Sequence, residues 1–319
     1  MSNVKKRQHY VWRQYLRAWT TDENIWTYFK ELSKIEKPGL MGVAQERYFY
    51  KLSDFTDEEE SFLKNFIEIL SPTQELKEFN LEFLSIFTIT NNLKKKLNAT
   101  KNLFLDQAIT EEIRTLEINI MEDAHCKIEE LGARLISYRS LDELKTIYQE
   151  DYIYDAVLFL CIQYFRTKNL KNMGLKKFRG TKHEQIMEKS WNIISHALGT
   201  VYTKSISLNP DLKFIFLENE TSNHFLTGDQ PVFNILNDKL NEKGEVAELE
   251  LYYPLTPNHA LHIHFRTTQI EQFINQKADK DLVDYLNKKV FQNSDFYVFA
   301  DTKEQLEKLK LSYNSLIQV

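Results

Sequence analysis

Glycine and proline occur only 8 and 6 times in 319 residues. Few positions can therefore take the left-handed or φ-locked conformations that tight turns need, which pushes the chain toward long helices with few connections. The apolar pattern agrees. Over residues 56–70 and 73–97 apolar side chains recur three and four apart, as in Phe79, Phe83, Leu84 and Phe87, with Ser71-Pro72 as a break. Residues 106–138 keep the same period through Ile109, Ile113, Leu116, Ile120, Ile128 and Leu131, with Gly132 as the weak spot. Residues 154–165 are apolar enough for a central helix, and 184–198 make another that Gly199 is expected to end.

After Gly199 the character changes. Short runs rich in Ile, Phe, Leu and Tyr at 212–217, 224–227, 231–236, 248–253 and 260–265 are separated by Asn, Asp, Gly and Pro, which predicts a mostly antiparallel sheet. Helices are expected at 279–291 and 302–311, a strand at 295–300, and an early strand at 24–29 after the Thr20-Thr21-Asp22 turn. The predicted class is α+β: a central layer of about five helices packed on a mostly antiparallel C-terminal sheet joined by an N-terminal strand. With no linker or repeat, one domain is expected over 1–319, comprising a β/α lead-in (1–55), the helical layer (56–199) and the sheet with closing helices (200–319).

A content of 42% apolar and 13% aromatic residues is enough for a large core, and a net charge of -5 supplies no global basic field for nucleic acid. The runs Lys94–Lys96 and Lys171, Lys176, Lys177, Arg179 and Lys182 read as solvated helix ends, or less readily as phosphate-facing patches. Cys126 and Cys161 have no Cys-x-x-Cys spacing and suit a reducing compartment. The first ten residues are polar and no stretch approaches the roughly 18 apolar residues that span a bilayer, so a cytoplasmic, non-membrane protein is expected. Phosphate loop, Gly-x-Ser-x-Gly elbow, His-Glu-x-x-His and dinucleotide fingerprint are all absent from the sequence.

Gln8-His9-Tyr10-Val11 with Tyr15-Leu16-Arg17, Val43-Ala44-Gln45-Glu46 with Phe49-Tyr50, Phe225-Leu226-Thr227-Gly228-Asp229-Gln230-Pro231-Val232 and Tyr253-Pro254-Leu255-Thr256-Pro257 together resemble one bacterial family, domain of unknown function 4238. The resemblance runs from near the start of the chain to about residue 300, with Trp12 standing where that family usually carries proline. For function it implies little beyond a setting among bacterial accessory and phage-defence genes.

Candidate chemistry rests on polar residues where packing does not ask for them. His9 can be a base, a metal ligand or a buried hydrogen-bonding ring. Arg13 and Arg17, four apart, can hold a carboxylate or phosphate, or form a surface ion-pair face. Glu122, His125 and Glu129 share one helix side, a carboxylate–imidazole set able to bind a divalent metal such as Mg, Mn or Zn, or simply a solvated face. Gln163 and Arg166 project from an apolar helix, where an unpaired charge costs several kcal/mol. Glu129, Glu122 or an anionic ligand must therefore partner Arg166. Asp229 sits where a strand end can present a metal-binding or base-positioning carboxylate, or merely an Asx turn. His259, His262 and His264 would make a zinc site only with a ligand from elsewhere.

Two readings stay open. In the first, His9, Glu122, His125, Glu129 and Asp229 form the site of a hydrolase acting on a phosphate-containing or nucleic-acid substrate, with Glu122, His125, Glu129 and Asp229 as metal ligands and Arg13, Arg17, Gln163 and Arg166 binding substrate. In the second, the same arginines with Tyr10, Trp12 and Trp19 form the surface of a non-catalytic ligand-sensing or protein-binding module. His9, Glu122, Glu129 and Asp229 meeting in one pocket would favour the first; scattered over separate surfaces, they would leave only binding or scaffold roles.

Overall fold

The computed structural model describes residues 4–100 and 103–317. It begins with a two-stranded ribbon, β1 (Arg7–His9) antiparallel to β5 (Gln45–Arg47). Between them lie the short helix α1 (Arg13–Leu16) and the strands β2 (Thr20–Thr21), β3 (Asn24–Phe29) and β4 (Lys34–Glu36). Trp12, at the N-cap of α1, has φ -60°, a value proline also adopts.

The helical layer follows. Its members are α2 (Asp57–Leu70), α3 (Gln74–Thr100), α4 (Leu103–Gly132), α5 (Leu141–Gln149), α6 (Ile153–Phe165), α7 (Lys168–Lys176), α8 (Glu184–Lys189) and α9 (Trp191–Ser207). Thr56 and Glu59 form a capping box that starts α2, and four acidic residues complement its positive end. α6 is apolar almost all round, as the pattern predicts, and packs against both α4 and α9. α5 and α7 are shorter amphipathic segments that periodicity over long windows passes over.

The helix expected to stop at Gly199 instead breaks at Ser190 and continues to Ser207. Gly199 permits close approach: a Cβ there would lie 2.4 Å from Ile162 Cδ1 of α6. The residue read as a stop is thus what lets α9 lie against α6.

The C-terminal part contains β6 (Lys213–Asn219), β7 (Thr227–Gly228), β8 (Phe233–Asn234), β9 (Leu251–Thr256), β10 (His259–His264), β11 (Phe273–Ala278), α10 (Lys280–Asn293), β12 (Tyr297–Ala300) and α11 (Lys303–Ile317). Its strands divide between two sheets. One has the order β11-β6-β10-β9-β8, antiparallel except where β11 runs parallel to β6. The other has the order β2-β3-β12-β7 with β4 beside β3, so the N-terminal strand β3 joins β12 rather than the larger sheet. The molecule is α+β, with a helical region and antiparallel C-terminal sheets.

One hydrophobic cluster draws on all three stretches, from Tyr10, Tyr15 and Trp19 through Leu144, Phe159 and Leu160 to Phe216, Tyr253 and Phe299. Tyr15 ties them with polar bonds as well. Its hydroxyl lies 2.7 Å from Thr227 Oγ1 and donates to the Pro254 carbonyl at 2.8 Å, while its ring stacks on Tyr253. Trp19 donates to the Phe225 carbonyl at 2.9 Å. Tyr10 and Trp19, expected on a recognition surface, are buried here, because their rings fill the junction between lead-in and sheet. Among the described residues no helix is long and apolar enough to cross a membrane, and both cysteines are free.

Candidate functional site

A cavity of about 430 Å³ opens between the lead-in and α4. Strand alternation builds one wall: Gln8 turns inward, donating to the Ile118 carbonyl and accepting from the Tyr50 amide at 2.6 Å each, which leaves Arg7 and His9 to line the cavity. Trp12, Arg13 and Arg17 extend that wall from the lead-in segment. Helical spacing builds the other, for Glu122, His125, Cys126 and Glu129 fall on one side of α4. Lys5, Gln14 and Met41 complete the lining. Three-residue spacing made the α4 stripe readable, but nothing in the sequence pointed to Lys5, Arg7, Gln14, Met41 or Cys126.

Arg166 closes the interior behind this wall. It is 2% exposed, at the C-cap of α6, where the helix dipole favours a cation. Its Nη2 donates to Glu129 Oε1 at 2.7 Å, so of the partners the sequence allowed the fold supplies Glu129. Nε and Nη1 of Arg166 find no partner among the described residues, nor do Nε2 of Gln163, one turn earlier, Nε2 of His9, Nδ1 of His125 and Oε2 of Glu122. Buried polar atoms are normally satisfied, and these six, half of the twelve without a partner among the described residues, leave donors and acceptors to spare around the cavity.

The titratable groups are displaced in opposite senses. Burial pushes the Glu122 carboxyl up to about 7, Arg166 opposing and Glu129 assisting. Burial, with Arg13 adding its charge, pushes His9 down to about 4. His125 is held neutral by burial and by Arg166, its ring 4.4 Å from that of Tyr50. Glu129 is raised by burial against the pull of Arg166. At neutral pH the cavity therefore combines an uncharged imidazole with a carboxyl group that is about half protonated.

Asp229 is not in this cavity. Its carboxylate accepts from the amides of Asp295 at 2.9 Å, Phe296 at 2.7 Å and Tyr297 at 3.3 Å, clamping β7 to the start of β12. Gln230 beside it binds Thr167, the Tyr164 carbonyl and the Val232 carbonyl, joining the same turn to α6 and α7. The catalytic and metal roles expected for Asp229 are corrected accordingly: the turn does present a carboxylate, but backbone N–H groups occupy it. Among the described residues no group of three or more His, Cys, Asp or Glu side chains could hold a metal ion. Of the expected set, Glu122, His125 and Glu129 line one cavity, with Glu129 bonded to Arg166, and Asp229 lies elsewhere.

His262 and His264 do not gather a zinc site either. Glu250 instead takes His262 at 2.9 Å and Arg266 at 2.5 and 2.6 Å. A groove of about 610 Å³ beside α10 and α11 is larger than the His9 cavity, but its polar groups bond to one another, as in Asn223 with Asp284 and Lys308. Lys95 pairs with Asp57 on an exposed helix end, while Lys94 bridges Asp54 and the buried Glu117 of α4.

The sequence landmarks turn out to be joints of the fold and walls of the cavity: Gln8 and His9 on the ribbon, Thr227 and Pro254 on Tyr15, Asp229 and Gln230 in the clamp. No curated protein and no solved structure matches the chain. The family described as protein of unknown function (DUF4238) matches residues 7–304, and the chain belongs to it.

Proposed function

We propose that the cavity is the active site of a hydrolase acting on a phosphate-containing substrate. The observation that carries this reading is the meeting, on one cavity, of an acid and a base with oppositely displaced pKa values and a surplus of arginine donors. Arg13 at the mouth attracts an anion, Arg17 beside it being paired with Glu23 at 2.9 Å, and Arg166 and Gln163 hold N–H groups in reserve behind it. Neutral His9 can take a proton from the attacking group, while the Glu122 carboxyl can give one to the leaving oxygen. A bound phosphate would raise both pKa values by its charge, making Glu122 a more complete acid and His9 a stronger base.

The test is turnover of activated phosphomonoesters and phosphodiesters, RNA and DNA by the purified protein, beside His9→Ala and Glu122→Gln. Each substitution is expected to lower kcat by about 10²–10⁴ while phosphate still binds. Phosphate binding without turnover would leave a recognition module using the same arginines. Neither binding nor turnover would remove the reading altogether.

A further inference from the structure

We infer that the face formed by the β1–β5 ribbon and α7 binds single-stranded nucleic acid through its phosphates, whatever chemistry the cavity performs. On the ribbon side stand Lys6, Arg7, Arg47 and Lys51, all exposed. On the helix side stand Lys171, half-buried, and the exposed Lys176, Lys177, Arg179 and Lys182, the run that the sequence left between a solvated helix end and a phosphate-facing patch. Among the described residues none of these side chains forms an ion pair or a hydrogen bond. Cations beside them that do have partners are not counted: Lys5 with Asp123, Lys168 with Glu46, Lys189 with Glu59.

The fold brings the two banks together. Arg7 lies opposite Arg47 in the ribbon, and the Tyr48 amide donates to the Lys6 carbonyl at 3.0 Å. The Lys168–Glu46 ion pair ties the first residue of α7 to β5. Lys51 and Lys171 then line one recess of about 360 Å³, with Phe49, Ser53, Gln185 and Asn192. Glu188 is the one acidic residue in that lining. Leu170, Leu175 and Phe178 pack on the cluster around Trp191, and a Cβ on Gly174 would lie 2.6 Å from Trp191 Cη2, so α7 sits tightly on its apolar side and leaves its cations to solvent.

Acidic side chains outnumber basic ones 46 to 41 in the whole chain, so a surplus of unpaired cations here reflects placement and not composition. Such a strip repels itself until a polyanion covers it, and the counterions that it releases drive the association. The relief of the face selects the polyanion. The Arg47 guanidinium lies 5.2 Å from the Tyr48 ring centre, and Phe49 stands in the recess. An unpaired strand offers phosphates to the cations and base faces to the aromatic rings, whereas a duplex keeps its base faces stacked and a flat bilayer would leave the recess empty.

The test is fluorescence anisotropy of the full chain with labelled oligothymidylate and oligouridylate, a DNA duplex of the same length, and vesicles of phosphatidylserine and phosphatidylcholine. Binding of a single strand is expected, the tighter of the two naming the sugar, with log K falling against log salt at a slope of about -3 for four or more phosphate contacts. Lys51→Glu with Lys171→Glu should flatten that slope by about 1.4 and weaken binding at least about ten-fold. Lys277→Glu on β11, outside the strip, makes the same kind of charge reversal and should leave the slope in place. The salt slope of the unaltered protein needs no variant, so misfolding cannot mimic it. Absence of binding, equal or tighter binding of the duplex, attachment to vesicles without binding of either strand, or a slope that the double reversal leaves unchanged would each overturn the inference.

Discussion

Arg166 concentrates the physical problem of this protein in one side chain. A fully buried cation with a single carboxylate partner leaves two of its nitrogens orphaned, and breaking such a pair costs about 3–5 kcal/mol because the survivor stays buried and unpaired. That cost made its partnership readable from the sequence. Which carboxylate would serve was not readable, because helix spacing places Glu122 and Glu129 on the same face and only the docking of α4 on α6 chooses between them. On the proposed hydrolase reading, the same burial sets a pH dependence. His9 must be neutral to accept a proton, so kcat/KM should rise as pH increases through about 4, and Glu122 must be protonated to donate, so it should fall above about 7. In Glu122→Gln the alkaline limb should disappear from whatever activity remains; an unchanged limb would assign the acid to another group.

At the scale of elements, the contact of α6 with α9 decides how a glycine should be read. Replacing Gly199 with alanine gains about 1 kcal/mol of helix propensity, yet its Cβ would meet Ile162 Cδ1 at 2.4 Å, and overpacking costs about 1–3 kcal/mol. Net destabilisation of about 1 kcal/mol is expected by chemical denaturation. Removing the offending methyl with Ile162→Val should reverse the sign, so that Gly199→Ala becomes stabilising by about 0.5 kcal/mol in that background. Additive values in the double-mutant cycle would show the close approach to be unimportant. A single sequence carries the glycine without its neighbour, which is why Gly199 reads as a helix end. β11 was hidden for a related reason: Phe-Ile-Asn-Gln-Lys-Ala lies at a sheet edge, exposes its middle residues and pairs parallel to β6, so neither alternation nor a hairpin turn announces it. The Asp229 turn shows the limit of motif reading, since its sequence predicts a positioned carboxylate and says nothing of the three amides that β12 delivers to it.

For the whole molecule, the interlocking of lead-in, helices and sheets makes a thermodynamic claim. β3 pairs with β12, Tyr15 and Trp19 bond to the turns of the C-terminal part, and a shared apolar cluster runs through all three stretches. Unfolding should therefore be one cooperative event, with tryptophan fluorescence and far-ultraviolet circular dichroism giving coincident denaturation curves. Two separated transitions would mean that the helical layer and the sheets are independent units. The α+β class and most long helices were legible from local pattern, whereas the division into two sheets depends on pairings between chain ends that no local window contains.

The two banks of the cavity lie far apart along the chain. Translation delivers His9 and Arg13 well before Glu122, Gln163 and Arg166. A polypeptide released between them carries one bank with nothing to face it, so the cavity exists only once both stretches are made.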